Sequence, residues 1–435
     1  MIARLFILNI FFGLVFAQSP DELLNSAKLN LDSGNLVEAE SKYNSALQMD
    51  PTFAPAYMGL AMVAMRKGDL KQSASLLKEA IDADPENKEF RQEFERFNEL
   101  NTLLSKGKKS MNSGDLDDAI ESFRIAYNKF PECPEPLFYT GFAHMRNKNV
   151  SDAISSFYKT LEVYPDHKNA LLGINKIAVN YFNKGNQLYK RGNLEGALSN
   201  YDEVLKIDKN YHKAYFQIGA IQAKLANPDE AIVAYKEAIK INPQFYKGYF
   251  GLAKVQRELN DNDEALISLQ TAIDIYPSYD KAYGLMGDIY IQQKDYDKAK
   301  QTLKKATTVN PNYSKGYESL GIIYSEEKNW NQAISSLEMA VALNEKNHNS
   351  LYLLSQAYNM NGDCDSALSA ARKSTELKNR FGGAWLELGT AEWCNGSGNK
   401  AGALNAFEKA RADRAWREYA EHEIDKIKNP QKYVK

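Results

Sequence analysis

The sequence predicts an all-α solenoid made of helix-turn-helix units, and two observations support this prediction. The first is the pattern in residues 280–313, where apolar and small residues recur at the spacing of one helical face, over 283–290 and again over 299–306. Pro311 then ends the second helix, because its ring cannot continue one. The second is that this pattern returns after shifts of 34 residues in both directions. Neither helix can bury its apolar stripe alone, so the units must stack.

The repeated positions resemble those of a known family, the tetratricopeptide repeat (TPR). In two further copies they are Tyr215, Ile218, Gly219, Ala231, Tyr235, Ala238 and Pro243, and Tyr249, Leu252, Ala253, Ala265, Leu269, Ala272 and Pro277. This skeleton is similar to the TPR pattern W-x2-L-G-x2-Y…A-x3-F…P, with Tyr in place of Trp. The resemblance implies a right-handed α-solenoid of about eleven repeats whose concave groove binds a protein or peptide.

The first seventeen residues differ from the rest. A short start containing Arg4 precedes a nearly continuous apolar run, and Val15 and Ala17 are small residues at the −3 and −1 positions of a cleavage site. The run is shorter than the roughly 20 residues of a membrane-spanning helix, so it predicts a signal peptide and no stable membrane anchor. We therefore expect an exported protein, periplasmic or secreted after residues 1–17 are removed.

The period holds in some blocks and breaks between them. Pro85 and Pro131 are 46 residues apart, one repeat plus twelve, and the extra residues contain no Gly or Pro. They predict a helical extension, and a similar break follows Pro165. The expected blocks are 18–87 (repeats one and two), 88–99 (extension), 100–165 (repeats three and four), 166–177 (extension), 178–413 (repeats five to eleven) and 414–435 (capping helix and tail).

Two local details follow from this division. The turns of repeats five to ten are expected at one residue per period, namely Gly192, Ala226, Asn260, Lys294, Lys328 and Gly362. The last helix, about 415–428, is expected to pack through Trp416, Tyr419 and Ile424, as a capping helix does.

The cysteines allow one disulfide. The family resemblance places Cys364, at the start of a second helix, and Cys394, at the end of the next first helix, at the same edge of adjacent repeats. An exported compartment permits oxidation, so we expect a Cys364–Cys394 bond, with two unpaired thiols as the alternative. Cys133 has no partner and is expected to be packed or free.

No catalytic or cofactor site is predicted. The five histidines are scattered, and no HExxH or Gly-x-Ser-x-Gly motif is present. The formal net charge of −2 gives no basic field for nucleic acid. We therefore expect neither an enzyme nor a metal or cofactor protein, and a protein or peptide partner.

A regular row of lysines is the best indication of function. Lys213, Lys247, Lys281 and Lys315 each hold the second position of a repeat, which in the TPR family points into the groove. A cation in the first turn opposes the helix dipole by a few tenths of a kcal/mol, so local energetics do not explain the row. The other groove candidates are Phe182, Tyr189, Phe216 and Phe250, with Asn186 as one element of an incomplete carboxylate clamp.

These lysines have two interpretations. They are either solvated, solubilising side chains or a site for acidic or carboxylate-bearing segments. The second predicts an exported scaffold or adaptor for protein–protein interaction, and envelope complexes are among the expected partners. The alternative function is a glycan- or lipoprotein-binding subunit of an envelope assembly or polysaccharide export machine.

Overall fold

A computed structural model of the chain describes residues 18–396 and 398–433. Over these residues the regular structure is entirely helical, with 23 α-helices, two short 3₁₀ turns and no strand. The chain divides into two compact units, unit 1 (Met1–Lys209) and unit 2 (Asn210–Lys435). The expected signal peptide, residues 1–17, lies outside the described residues.

Unit 1 contains five helix pairs, in which each odd-numbered first helix packs against the even-numbered second helix that follows it. Its helices are α1 (Pro20–Asp32), α2 (Leu36–Met49), α3 (Ala54–Arg66), α4 (Leu70–Ala83), α5 (Lys88–Ser113), α6 (Leu116–Lys129), α7 (Glu135–Arg146), α8 (Val150–Val163), α9 (Lys168–Lys190) and α10 (Leu194–Ile207).

Unit 2 contains six such pairs and a final helix. Its helices are α11 (His212–Lys224), α12 (Pro228–Ile241), α13 (Tyr246–Glu258), α14 (Asn262–Ile275), α15 (Asp280–Gln292), α16 (Tyr296–Val309), α17 (Ser314–Glu326), α18 (Trp330–Leu343), α19 (His348–Asn361), α20 (Cys364–Leu377), α21 (Gly382–Glu392), α22 (Lys400–Arg411) and α23 (Arg417–Lys428).

Close approach of the paired helices depends on small residues. Ala299, Leu303 and Ala306 of α16 are fully buried. A methyl group added to Gly287 of α15 would lie 2.6 Å from Cγ of Leu303, which is too close for any real contact. The small residue at this position therefore sets the separation of α15 and α16, and the same holds for Gly321 against Leu337 one repeat later.

The turn between paired helices has a left-handed residue at its centre. In unit 2 the positive-φ residues recur at the period of the repeat. They are Ala226, Asn260, Lys294, Lys328, Gly362 and Gly396. At Lys294, the amide of the next residue, Asp295, donates to the carbonyl of Tyr290 at 2.9 Å, and Lys294 donates to Ile291 at 2.9 Å. These bonds satisfy the last carbonyls of the first helix.

The residues before repeat three belong to one long helix, α5, of 26 residues. Phe90 and Phe97, in its first half, are buried against Ala80 and Leu77 of the second repeat. The extension is therefore packed on the preceding repeat. Helix α9, of 23 residues, similarly joins the second extension to repeat five.

A buried polar pair fixes the start of α9. Nδ1 of His167 accepts a hydrogen bond from the amide of Ala170 at 3.1 Å, which leaves Nε2 as the donor to Oε1 of Glu135 at 2.9 Å. Glu135 begins α7, and its carboxylate lies against Gly68 in the turn of the second repeat. The pair therefore connects three parts of unit 1.

The prediction for the last helix is partly wrong. Helix α23 buries Ala420, Ile424 and Ile427, whereas Tyr419 is 64% exposed. The helix begins at Arg417, after Trp416 as its N-cap residue, and its packed stripe runs through positions 420, 424 and 427. Tyr419 is one residue, or about 100°, away from that stripe.

Candidate functional site

The four lysines occupy the same place in four successive first helices. Each is the second residue of its helix, in α11, α13, α15 and α17, and each is exposed. Lys213, Lys247 and Lys281 form no ion pair with another described residue; the Nζ of Lys247 lies 5.8 Å from the centre of the Tyr246 ring. We call the exposed side of α11, α13, α15, α17, α19 and α21 the first-helix surface of unit 2.

Lys315 differs from the other three. Its Nζ lies 2.7 Å from Oδ2 of Asp288, on the first helix of the preceding repeat, and Ser319 donates to the other oxygen at 3.1 Å. One of the four cations is thus already neutralised within the protein. Within the described residues, the members of the row without an ion pair are Lys213, Lys247 and Lys281.

The aromatic candidates of unit 2 pack between repeats. Phe216 is half-buried and meets Phe245 edge-on, with ring centres 5.3 Å apart. Phe250 meets Tyr279 in the same way at 5.1 Å. In both cases a first-helix residue contacts the residue that precedes the next first helix. These rings therefore contribute to the seam between repeats.

In the next repeats along the chain, other residue pairs occupy the two positions of this aromatic pair. At the same two positions, Tyr313 fills the space left by Gly284, and Asn347 donates to Glu318 at 2.7 Å. The aromatic pairing returns with Tyr352 and Phe381, 5.1 Å apart.

Three candidates, Phe182, Asn186 and Tyr189, lie on α9 of unit 1, whereas the lysines lie in unit 2. Phe182 packs against Tyr201, with ring centres 5.6 Å apart. The hydroxyl of Tyr201 donates to Oδ1 of Asn186 at 2.8 Å. Asn186 is thus engaged within its own repeat, and Tyr189 is half-buried.

Two carboxylates on the first helices of unit 2 were not predicted. Glu318 accepts hydrogen bonds from Asn347 and from the hydroxyl of Ser350. Glu387, 7% exposed, accepts from Nδ2 of Asn359 at 2.7 Å. Burial raises the pKa of Glu387 to about 7, although its hydrogen bonds with Asn359 and Gln356 act in the opposite direction. Glu387 stands 34 residues after Leu353, so an acidic residue replaces an apolar one at the same position of the repeat. This replacement is the signal in the sequence that could have identified Glu387.

The cysteines lie as the disulfide requires. Cys364 begins α20 and Cys394 follows α21, and their sulfur atoms are bonded, with Cα atoms 5.7 Å apart. An ion pair between Arg372 and Glu392, 2.9 Å long, joins the same two helices. Cys133 is buried, and burial raises the pKa of its thiol to about 12, so it is a poor nucleophile.

Metal binding and membrane insertion find no support in the described residues. Nowhere in 18–396 or 398–433 do three or more His, Cys, Asp or Glu side chains converge as metal ligands would. Among the same residues, every helix is too short or too polar to span a membrane.

Comparison with known families decides the classification. Family profiles described as tetratricopeptide repeat or TPR repeat match residues 30–92, 104–168, 185–225 and 212–245. A profile described as the tetratricopeptide repeat protein 21 C-terminal ARM domain matches residues 252–360. The chain is a tetratricopeptide-repeat protein. The TPR is a module for protein–protein interaction, so this TPR protein is an interaction scaffold.

Individual relatives are distant. A TPR repeat-containing protein of Methanocaldococcus jannaschii is 26% identical, over 28% of this chain and 29% of its own length. The present chain thus matches less than a third of that relative.

Among solved structures, the Cut9–Hcn1 assembly of the APC/C gives a TM-score of 0.49 at 14% identity, covering 94% of this chain and 96% of that one. A TPR protein from Parabacteroides merdae gives 0.42 at 17% identity, with 58% and 100% covered. Yeast Tom70 gives 0.41 at 16% identity, with 93% of each chain covered.

Proposed function

We propose that this TPR protein is an exported, non-catalytic scaffold that holds an acidic or carboxylate-bearing segment of a partner protein on the first-helix surface of unit 2. The observation that carries the proposal is the row of Lys213, Lys247 and Lys281. These three cations are exposed, lack an ion pair within the described chain and repeat at one position of successive helices. A row of like charges at a regular spacing attracts an extended segment of the opposite charge.

The expected strength of this attraction is moderate. An exposed lysine contributes at most about 1 kcal/mol with a carboxylate. Three acting on one segment would change the dissociation constant on the order of a hundredfold at low salt. The effect weakens as ionic strength rises, because the charges are exposed to solvent.

The half-buried aromatic residues favour a peptide over a sugar. Stacking on a sugar needs an open ring face, whereas Phe216 and Phe250 pack against Phe245 and Tyr279. Backbone and carboxylate groups of a peptide need no such platform. The salt dependence of binding distinguishes the proposed function from the alternative, a glycan- or lipoprotein-binding subunit of an envelope assembly. Binding through the lysines weakens as salt is added.

Charge reversal tests the proposal. We expect Lys247→Glu with Lys281→Glu to weaken binding of a partner captured from envelope extract at least tenfold, with helicity and melting temperature unchanged. The matched control is Lys236→Glu with Lys304→Glu, on exposed positions of the second helices α12 and α16, and it should have little effect. Equal effects of both pairs, or binding that is insensitive to salt, would overturn the proposal.

A further inference from the structure

The charge on the first helices of unit 2 changes sign along the unit. Helix α11 has two lysines and no carboxylate, and α13 has three cations and one carboxylate. Helices α15 and α17 each have one lysine and two carboxylates. Helix α19 has no Asp, Glu, Lys or Arg, and α21 has two carboxylates and no cation. The surface is therefore basic at α11–α13 and acidic at α17, because Glu387 of α21 is buried and Glu392 is paired with Arg372.

The basic end has cations that the protein does not neutralise. Lys213, Lys247 and Lys254 are exposed, and none of them forms an ion pair within the described part of the chain. Lys281 continues this group by one repeat. A partner's carboxylate would meet no competing acidic side chain in α11.

The change of sign falls between α13 and α17, where an ion pair joins two first helices. Lys315 of α17 lies against Asp288 of α15, at 2.7 Å. Because this pair is neutral, it separates the basic end from the acidic end. The charged groups of α17 beyond it are the carboxylates Glu318 and Glu326.

Two carboxylates of the first helices, Glu318 and Glu387, are held by neutral donors. Glu318 receives hydrogen bonds from Asn347 and Ser350, both on its Oε2. Glu387 is held by Asn359 at 2.7 Å. No cation of the described chain forms an ion pair with either. Burial without a cation is also the reason why the pKa of Glu387 is raised.

We propose that unit 2 binds its partner in one orientation, because the partner segment is bipolar, with carboxylates over α11–α13 and a lysine or arginine beside Glu318. This inference rests on the proposed function, since it uses the same surface, and it adds the polarity of the partner. A reversed segment would place like charges together at both ends. Such juxtapositions of like charges disfavour the wrong orientation.

Synthetic peptides test the polarity. Three fluorescent peptides are titrated against the protein at low salt: an acidic block alone, and an acidic and a lysine block joined in each of the two sequence orders. We expect one block order to bind about tenfold more tightly than the other and than the acidic block alone. Equal binding of the two orders, or of the acidic block alone, would overturn the inference.

The result also separates this inference from the proposed function. If the acidic block alone binds as well as both bipolar peptides, the acidic preference stands and only the orientation is wrong. If no peptide with an acidic block binds, the proposed function fails as well.

A single substitution locates the basic end of the peptide. In Glu318→Gln the side-chain oxygen still accepts from Asn347 and Ser350, but the negative charge is lost. We expect the favoured bipolar peptide to lose about three- to fivefold in affinity, and the acidic block alone to lose none. The control is Glu345→Gln, in the exposed loop after α18. A loss of equal size in both peptides, or no loss in either, would contradict the placement.

Discussion

At the scale of single residues, five turns place an ordinary residue in the left-handed region. Lys148, Ala226, Asn260, Lys294 and Lys328 have φ between 58° and 62°. The period predicted where most of these turns lie but not their backbone conformation, because most residue types disfavour positive φ. Stacking of the paired helices imposes the turn even where glycine is absent.

The left-handed conformation predicts that two opposite substitutions, at equivalent turn positions of unit 2, change the free energy of unfolding in opposite directions. Ala226→Gly should raise the free energy of unfolding by about 0.5–1 kcal/mol, because glycine adopts positive φ without the penalty of about 1–2 kcal/mol. Gly362→Ala should lower it by about 1 kcal/mol for the same reason. All four tryptophans lie in unit 2, so urea unfolding followed by tryptophan fluorescence measures both effects. Two changes of the same sign would contradict the account.

Glu387 predicts a dependence of stability on pH. Its pKa is raised from an ordinary value of 4.5 to about 7, so between these values the folded state holds a proton that the unfolded state has lost. Stability should therefore fall as pH rises through this window, by on the order of 3 kcal/mol, and level off above about pH 7.

The variant Glu387→Gln should remove most of this dependence, since its amide oxygen still accepts from Asn359 while no group titrates. Urea unfolding of unit 2 at pH 5 and pH 7.5 compares it with the unmodified protein and with Glu326→Gln, an exposed position on α17. If Glu387→Gln and the unmodified protein show the same pH dependence, the buried carboxyl is not the cause.

At the scale of elements, the apolar spacing predicted helix pairs and small contact residues correctly, as Gly287 and Ala299 show. It failed for Tyr419, because the packed face of α23 runs through positions 420, 424 and 427, about 100° away from residue 419. It also could not predict the seam between repeats. The pairs Phe250–Tyr279 and Glu318–Asn347 occupy equivalent positions, and their match is visible only once the repeats are stacked.

The disulfide belongs to this scale, because it joins α20 to the end of α21. The loop that it closes spans 30 residues, which corresponds to roughly 3–4 kcal/mol on the chain-entropy description. We expect Cys364→Ser with Cys394→Ser to increase hydrogen exchange in α20, α21 and α22, and to leave α11–α14 unchanged. The substitution Cys133→Ser is the matched control for loss of a thiol. Recovery of Cys364 and Cys394 as free thiols from the oxidised, exported protein would contradict the bond.

At the scale of the whole molecule, the repeats and their interruptions could be predicted from the period alone. The lysine row could be found in the same way, because its members are 34 residues apart. The role of Asp288 could not, since the ion pair with Lys315 joins two repeats. The hydrogen bond that Asn186 accepts could not be predicted either, because its donor, Tyr201, lies on the second helix of the repeat.

Export is a prediction at this scale. The basic start, the short apolar run and the small residues at Val15 and Ala17 predict that residues 1–17 are removed. Mass spectrometry of the protein from its native host should find Gln18 as the first residue, unmodified or cyclised. An Ala17→Arg variant should block the cleavage. A protein that retains Met1 would contradict export by this route.

The central claim is that a partner's acidic segment lies on the first-helix surface of unit 2. Hydrogen exchange measured with and without a saturating acidic peptide tests it most directly. The account predicts slower exchange in α11, α13 and α15, at low salt, and its loss in the variant Lys247→Glu with Lys281→Glu. Slower exchange confined to the second helices α12, α14 and α16, or protection that persists in this variant, would contradict the claim.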